Sequence, residues 1–259
     1  MENKRNDCPS QMDYYLVGRE CYDCDGNPQP MEKCQPVEKQ EPIISHRYFE
    51  GERGYLKLLN HILINGKDRG DRTNTGTRSI FSTTLGFNLK EGFPALTTKK
   101  LFWKGVMGEL LWFLSGNTDL SSLRKFTHGN DNGQKTIWDI DYTRWHNTKD
   151  RGIPEDHGGN LYGRQWRNFT SASNGGIAVD QIKRVLEIAK RNPEDRRLLI
   201  NTWNAADVAY ETAALPPCHF CFQLYIEDGK LNLKWSQRSV DSGLGLSFNI
   251  ASYAMLTHI

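Results

Sequence analysis

The chain has 259 residues, and 33 Lys+Arg against 31 Asp+Glu give a formal net charge of +2. That length buries a substantial core in one large domain or two modest ones. A charge this near balance gives no support to dedicated nucleic-acid binding, which goes with a strong basic excess. No run of about 18 apolar residues occurs, which excludes a transmembrane helix, and the opening MENKRNDCPSQ has no apolar core for a signal peptide. The expected setting is cytoplasmic and reducing, so the six cysteines are not presumed to be disulfides.

Residues 1–45 are polar and aperiodic and hold Pro9, Pro28, Pro30, Pro36 and Pro42, half of the ten prolines. They read as an N-terminal extension with little structure of its own. Cys8, Cys21, Cys24 and Cys34 fall in this stretch. Cys21-x-x-Cys24 has zinc-ligand spacing, but no second close pair accompanies it, so no metal is expected. From about residue 46 the texture changes. Tyr55, Leu58, Leu59 and Ile62 fall on one helical face, with Gly66 as a stop. WKGVMGELLWFL (103–114) predicts a helix apolar on nearly all sides and therefore buried. A third helix is expected over 178–191, with Ile182, Val185, Leu186 and Ala189 on one face and Asn192-Pro193 ending it.

The second half turns toward strands. Residues 197–203 are β-like, and 221–226 and 231–235 flank Asp228-Gly229, a two-residue hairpin turn. Leu231, Leu233 and Trp235 share one face of the returning strand. FNIASYAMLTH (248–258) reads as a helix apolar all round that stops at His258-Ile259 without a C-cap, which predicts a cut within a domain. Helices and hairpin strands in this order give an α+β fold.

Several residues are candidates for chemistry. Cys218 follows two prolines in ALPPCHFCFQ, precedes a strand and is followed by His219. A cysteine on a rigid turn can present its sulfur to a cleft, and a thiolate there is a nucleophile when positive charge lies nearby; the alternative is a buried structural cysteine. Cys218-x-x-Cys221 also has metal or redox spacing, without a second pair. Arg72, Arg196, Arg197 and Arg238, the last next to Ser239, are either surface charges or the forks of a phosphate monoester site. The stretch 237–249 is dense in polar groups: Gln237, Arg238, Ser239, Asp241, Ser247 and Asn249. Glu109 lies in a helix nearly free of charge, so it is either paired, lining a cavity with its carboxyl pKa raised, or on a thin solvent stripe.

DRTNTGT (71–77), FPALTTKK (93–100), ELLWFLSGNT (109–118), IWD (137–139), NLYGRQWRNF (160–169), NPEDRRLLINTWN (192–204), LPPCH (215–219), QRSVD (237–241) and FNIASYAMLTH (248–258) together resemble the folate-dependent thymidylate synthase family, in the family's order across 46–259. The resemblance implies a large mixed β-sheet packed by helices, with the sheet face forming a homodimer interface. It implies that dUMP is methylated to dTMP, with 5,10-methylenetetrahydrofolate as one-carbon and hydride donor and no metal. Cys218 would add to carbon 6 of uracil. Arg72, Arg238 and Ser239 would hold the phosphate, and Arg196 and Arg197 would reach across from the other subunit. Arg238 would also place positive charge beside Cys218. Gln237 belongs to the same nucleotide loop, and Asn249 would read the uracil edge. Glu109 would relay protons through water, with Tyr162 and His219 completing the network. Asp241 would contact folate and pyrimidine, Trp138 would wall the folate site, and Lys99 would lie near the folate's glutamate tail.

Three positions depart from the family pattern: Ser236 stands where Tyr is usual, Asn160 where Pro is usual and Ser247 where Pro is usual. They cluster near the nucleotide loop and keep open a phage-type hydroxymethylase, which captures the methylene with water. The family's continuation beyond the last helix, a His-x-Tyr segment and a closing tail, is absent. This keeps open a third reading, a non-catalytic fragment acting as an interaction module.

Overall fold

The computed structural model describes residues 14–17, 20–23, 27–29, 49–70, 75–148, 150, 152–171 and 175–259. The chain divides into two compact units, Met1–Gly86 and Phe87–Ile259.

In the first unit, β1 (Tyr14–Val17), β2 (Glu20–Asp23) and β3 (Pro28–Gln29) form an antiparallel three-stranded sheet. YYLV, which forms β1, is a run of aromatic and aliphatic residues that suits a strand. Cys21 sits in β2 opposite Gln29, whereas Cys8, Cys24 and Cys34 lie outside the described residues. β4 (Phe49–Glu50) pairs in parallel with β7 (Leu85–Gly86), and β5 (Lys67–Arg69) pairs with β6 (Thr77–Ser79). Between β4 and β5 runs α1 (Gly51–Asn65), whose buried Tyr55 and Leu58 match the expected face. Its stop is Gly66, whose N–H donates to Ile62 O at 2.9 Å. A Cβ at residue 66 would collide with that carbonyl and with Arg78 Cγ, so glycine fits here for close approach. Arg78 forks onto Asp68 at 2.7 and 2.8 Å and also reaches Leu63 O, tying the hairpin to the helix end.

The second unit carries α2 (Trp103–Ser115), α3 (Leu120–His128), α4 (Asp139–His146), α5 (Tyr162–Arg167), α6 (Gln181–Arg191), β8 (Leu199–Asn201), α7 (Ala205–Ala209), β9 (His219–Glu227), β10 (Lys230–Gln237) and α8 (Leu246–His258). Val106, Leu110, Trp112 and Phe113 of α2 are buried, as its apolar sequence predicts. The third helix starts later than expected because the Asp180 side chain caps it by accepting from Lys183 N. Its buried residues are Val185 and Ile188, while Leu186 is 51% exposed. The strand expected over 197–203 shortens to β8. Asp228 and Gly229 take φ of 51° and 69°, the left-handed pair that a two-residue hairpin turn requires.

The order β10-β9-β8 forms an antiparallel sheet, so the α+β expectation holds. Among the described residues the strands fall into four small sheets and not one large one. The segment between α1 and α2 offers pairing runs of only two or three residues between turns rich in Gly, Thr and Lys. One face of the β8–β10 sheet packs Ile200, Phe222, Leu224, Leu233 and Trp235 against Trp166 of α5 and Tyr253 of α8. Leu199 and Tyr225, at alternate positions of the strands, remain 44% and 58% exposed on the other face.

Helices α2 and α3 approach closely at Gly108. A Cβ on Gly108 would stand 2.5 Å from Thr127 Oγ1 and 2.7 Å from its Cα. Gly108→Ala is therefore expected to lower stability by about 2 kcal/mol through overpacking, a fall of roughly 4–8 °C in Tm. Thermal denaturation checks it, and an unchanged Tm would refute the close-approach reading.

Candidate active site

The site is built where the start of β9 meets the N-terminus of α5 and the end of β10. Cys218 directly precedes β9, and its N–H donates to the buried Tyr162 hydroxyl at 2.7 Å. The Cys218 carbonyl accepts from Arg238 N at 2.9 Å, so the two strands hold cysteine and arginine side by side. The Arg238 guanidinium is fixed by backbone carbonyls. Nε donates to Pro217 O at 2.9 Å and Nη2 to Pro216 O at 3.0 Å, while the group lies 5.7 Å from the Trp203 ring centroid. The same Nη2 stands 3.8 Å from Cys218 Sγ. The two prolines thus stiffen the turn and also anchor the cation with their carbonyls. A guanidinium this near stabilises negative charge on sulfur.

Tyr162 connects the cysteine to a second cluster. Its ring lies 5.3 Å from His219 and 6.0 Å from Trp138. Burial, and then the charge of Cys218, push its phenol above the usual range. Burial lowers His219 to about 4, against a hydrogen bond with Asn249 that raises it. His219 is therefore a neutral imidazole near pH 7. Trp138 Nε1 donates to Glu109 Oε1 at 2.7 Å. Burial raises the Glu109 carboxyl, partly offset by that indole bond. Of the readings open for Glu109, the paired carboxyl is the one observed, and the residue is half-buried.

Asn249 lies on α8, and the β10–α8 loop is held by Asp241. Its Oδ1 accepts from Gly243 N at 2.9 Å and Leu244 N at 2.7 Å, and its carbonyl accepts from Gly245 N and Leu246 N. Lys99 donates to Leu244 O at 3.0 Å and sits 5.3 Å from the Phe248 ring centroid, so it braces this loop. Gln237 follows the point where β9 bulges at Phe220 against β10 and accepts from Trp235 Nε1 at 3.3 Å, and Ser239 is exposed. Cys221 lies three positions beyond Cys218 along the strand. That spacing puts the Cα atoms roughly 10 Å apart, beyond disulfide reach, and both are free cysteines.

Arg196 and Arg197 lie apart from this cluster. Leu199 pairs with Gln223 and Asn201 with Cys221, so the strand runs away from Cys218 toward the arginines. By that register Arg197 falls level with Tyr225, seven residues and roughly 20 Å along β9 from Cys218. Arg197 forks onto Asp195 at 2.9 and 2.6 Å and holds that carboxyl down at about 2. Arg72 lies outside the described residues.

Sequence reasoning missed Trp203 under Arg238, and Tyr253. Tyr253 is 4% exposed, stacks on Trp235 at 4.8 Å and leaves its hydroxyl without a partner. Its spacing of four from Asn249 on one helix was the available signal. The three departures also find places. Asn160 N–H donates to Thr212 O at 2.9 Å, a bond that proline could not make, and its side chain reaches Asp207 at 2.7 Å. Ser236 pairs with Cys221 beside the β9 bulge, and Ser247 is fully buried, its hydroxyl unpartnered among the described residues.

A cysteine held beside a fixed guanidinium, with a half-buried carboxyl and a neutral histidine around the same tyrosine, is an arrangement suited to attack on an electron-poor carbon. Residues 53–259 match the family model of thymidylate synthase. The "Probable thymidylate synthase" of Escherichia phage T5 is 53% identical over 206 residues, covering 79% of this chain and 70% of that protein. The thymidylate synthase of Enterobacteria phage T4 is 47% identical over 205 residues, 79% of this chain and 68% of its own. The crystal structure of T4 phage thymidylate synthase superposes with a TM-score of 0.70 at 46% identity, covering 79% of this chain and 68% of that one. The chain belongs to the thymidylate synthase family, a family of methyltransferases.

Proposed function

We propose that the protein methylates dUMP to dTMP with 5,10-methylenetetrahydrofolate as co-substrate. The observation that carries this reading is the Cys218 sulfur 3.8 Å from a guanidinium locked by two backbone carbonyls. The thiolate of Cys218 adds to carbon 6 of the uracil ring, and the electron pair moves to carbon 5, which becomes the nucleophile. The co-substrate supplies a one-carbon unit and a hydride. Carbon 5 bonds to that one-carbon unit and gives its proton to a base, and the carbon–nitrogen bond to the folate breaks. The hydride adds to the exocyclic methylene, so that the electron pair re-forms the double bond between carbons 5 and 6 and expels the Cys218 thiolate, leaving dTMP and dihydrofolate. Glu109 is the acid–base group. Burial raises its pKa, which favours a carboxyl that can hold and return a proton, and Tyr162 and the neutral His219 extend the relay. Asn249, hydrogen-bonded to His219, reads the uracil edge because an amide both donates and accepts.

Arg238, Ser239 and Gln237, with Arg72, take the nucleotide and its phosphate. A flat heteroaromatic co-substrate would lie against Ile137 and Ile140, which are 81% and 68% exposed, with the 7%-exposed Trp138 packed between them and the core. Asp241 offers a carboxylate from the neighbouring loop, and Lys99 offers a cation for an acidic tail. The position of Arg196 and Arg197 at the far end of β8 supports their acting in a second subunit's site, in a homodimer paired through the bare sheet face. A thiol nucleophile suits a reducing cytoplasm. No helix among the described residues is long and apolar enough to cross a membrane.

The test is product analysis. Intact protein given dUMP and 5,10-methylenetetrahydrofolate should yield dTMP and dihydrofolate in equal amounts. A hydroxymethylated nucleotide with tetrahydrofolate would overturn the methylation reading; the T4 and T5 relatives, both named as thymidylate synthases, favour methylation.

A further inference from the structure

A ladder of polar contacts between α3 and α4 ends on Glu109. Arg124 of α3 donates from Nη2 to Asp139 Oδ1 at 2.6 Å and from Nη1 to Asp131 Oδ1 at 3.5 Å. The second oxygen of Asp139 accepts from Thr136 N at 2.6 Å and from the Thr136 hydroxyl at 2.8 Å. Thr136 Oγ1 accepts the Trp138 N–H at 3.3 Å, and the Trp138 indole donates to Glu109 at 2.7 Å.

The ion pair differs from an ordinary surface bridge. Its two side chains are only 16% and 14% exposed, and besides Arg124 the carboxylate accepts two further donors, both from Thr136. It also spans a weak segment. The connection from α3 to α4 begins with Gly129 and contains Asn130, Asn132 and Gly133, residues that hold no fixed shape by themselves. No side chain caps α4, and Trp138 occupies its cap position, so the indole's direction depends on how this turn is pinned.

We propose that Arg124 and Asp139 are positioning residues for the reaction: their ion pair fixes the turn before α4, which aims the Trp138 indole and thereby holds the Glu109 carboxylate in its working orientation. The inference rests on the role given to Glu109 above. It goes beyond packing because α2, which carries Glu109, and α3, which carries Arg124, already contact each other elsewhere, at Gly108 and Thr127. Breaking the pair should leave that crossing intact and loosen the indole–carboxylate contact.

The experiment compares kcat, KM and dUMP affinity for Arg124→Met, Arg124→Lys, Asp139→Asn and Glu109→Gln, with Arg124→Met also placed in the Glu109→Gln background. Arg124→Met should lower kcat about 10- to 100-fold, since small misplacements of an acid–base group cost that much, with dUMP affinity within about threefold. Asp139→Asn, nearly isosteric, should show the same kcat-selective loss. Arg124→Lys, which keeps the charge, should recover most of the rate. In the Glu109→Gln background, Arg124→Met should change kcat by less than about twofold, because residues acting through one group are not additive. A slow Glu109→Gln with Arg124→Met and Asp139→Asn at wild-type kcat overturns the inference alone. The same holds if Arg124→Met costs as much with Glu109 removed as with it present. Glu109→Gln at wild-type kcat overturns the role of Glu109, and the inference with it.

Discussion

Cys218→Ser is expected to lower turnover by about four orders of magnitude or more, as removal of an enzyme nucleophile does, while dUMP affinity changes by less than about threefold. The hydroxyl occupies nearly the same space, and the groups that hold the nucleotide are elsewhere. The Cys218 backbone bonds to Tyr162 and Arg238 use N–H and C=O, which serine keeps. Arg238 also keeps its Pro216 and Pro217 carbonyl anchors. What is lost is the thiolate, since a serine hydroxyl beside a guanidinium stays protonated near pH 7 and the group set against the sulfur among the described residues is the Arg238 cation, which is no base. Steady-state turnover and calorimetric binding of dUMP measure the two effects separately. Mass spectrometry with a 5-halogenated dUMP should find an adduct on the native chain and none on the variant. Turnover retained within tenfold would show that Cys218 is not the nucleophile.

The parts of this site that could be read from the sequence are those written in local chemistry. Two prolines before Cys218 announce a stiff turn, and Asp228-Gly229 announces the hairpin that brings Arg238 back beside it, since β9 and β10 are sequential and antiparallel. Glu109 was visible because a carboxylate in an apolar helix needs an explanation. The less legible parts depend on approach in space. Trp138 meets Glu109 from 29 residues away, and nothing local marks the indole as its partner. Arg124 on an amphipathic helix looks like any surface cation until Asp139 is found beside it. Tyr253 passes for core packing until its hydroxyl is found without a partner. Errors in the elements have equally physical causes. Helix α6 begins at its Asp180 cap and not at the first apolar residue, and the strand expected over 197–203 shortens to Leu199–Asn201.

The arginines at the far end of β8 carry the second large effect, because geometry places them out of reach of their own Cys218. If Arg196 and Arg197 bind the phosphate held at the partner's cysteine, the double variant Arg196→Ala/Arg197→Ala should lose about 100-fold or more in kcat/KM, at about 1.5–3 kcal/mol for each charged hydrogen bond. Cys218→Ser is expected to be inactive for a different reason. The two inactive proteins, mixed in equal amounts and allowed to exchange subunits, should regain about a quarter of wild-type activity. Half of the dimers are then mixed, and each mixed dimer holds one site with an intact cysteine from one chain and intact arginines from the other. A site assembled within one chain would give no recovery, because each variant would carry its own defect. Arg197 begins this task paired to Asp195, its side chain 80% exposed. Asp195→Asn should therefore free the fork and leave the recovery in place. Without the charge of Asp195 the guanidinium has one less competitor for phosphate, so the variant's affinity for dUMP should hold or rise. Activity that stays at background after subunit exchange, verified by mass spectrometry of the mixed dimer, would refute a phosphate site shared between chains.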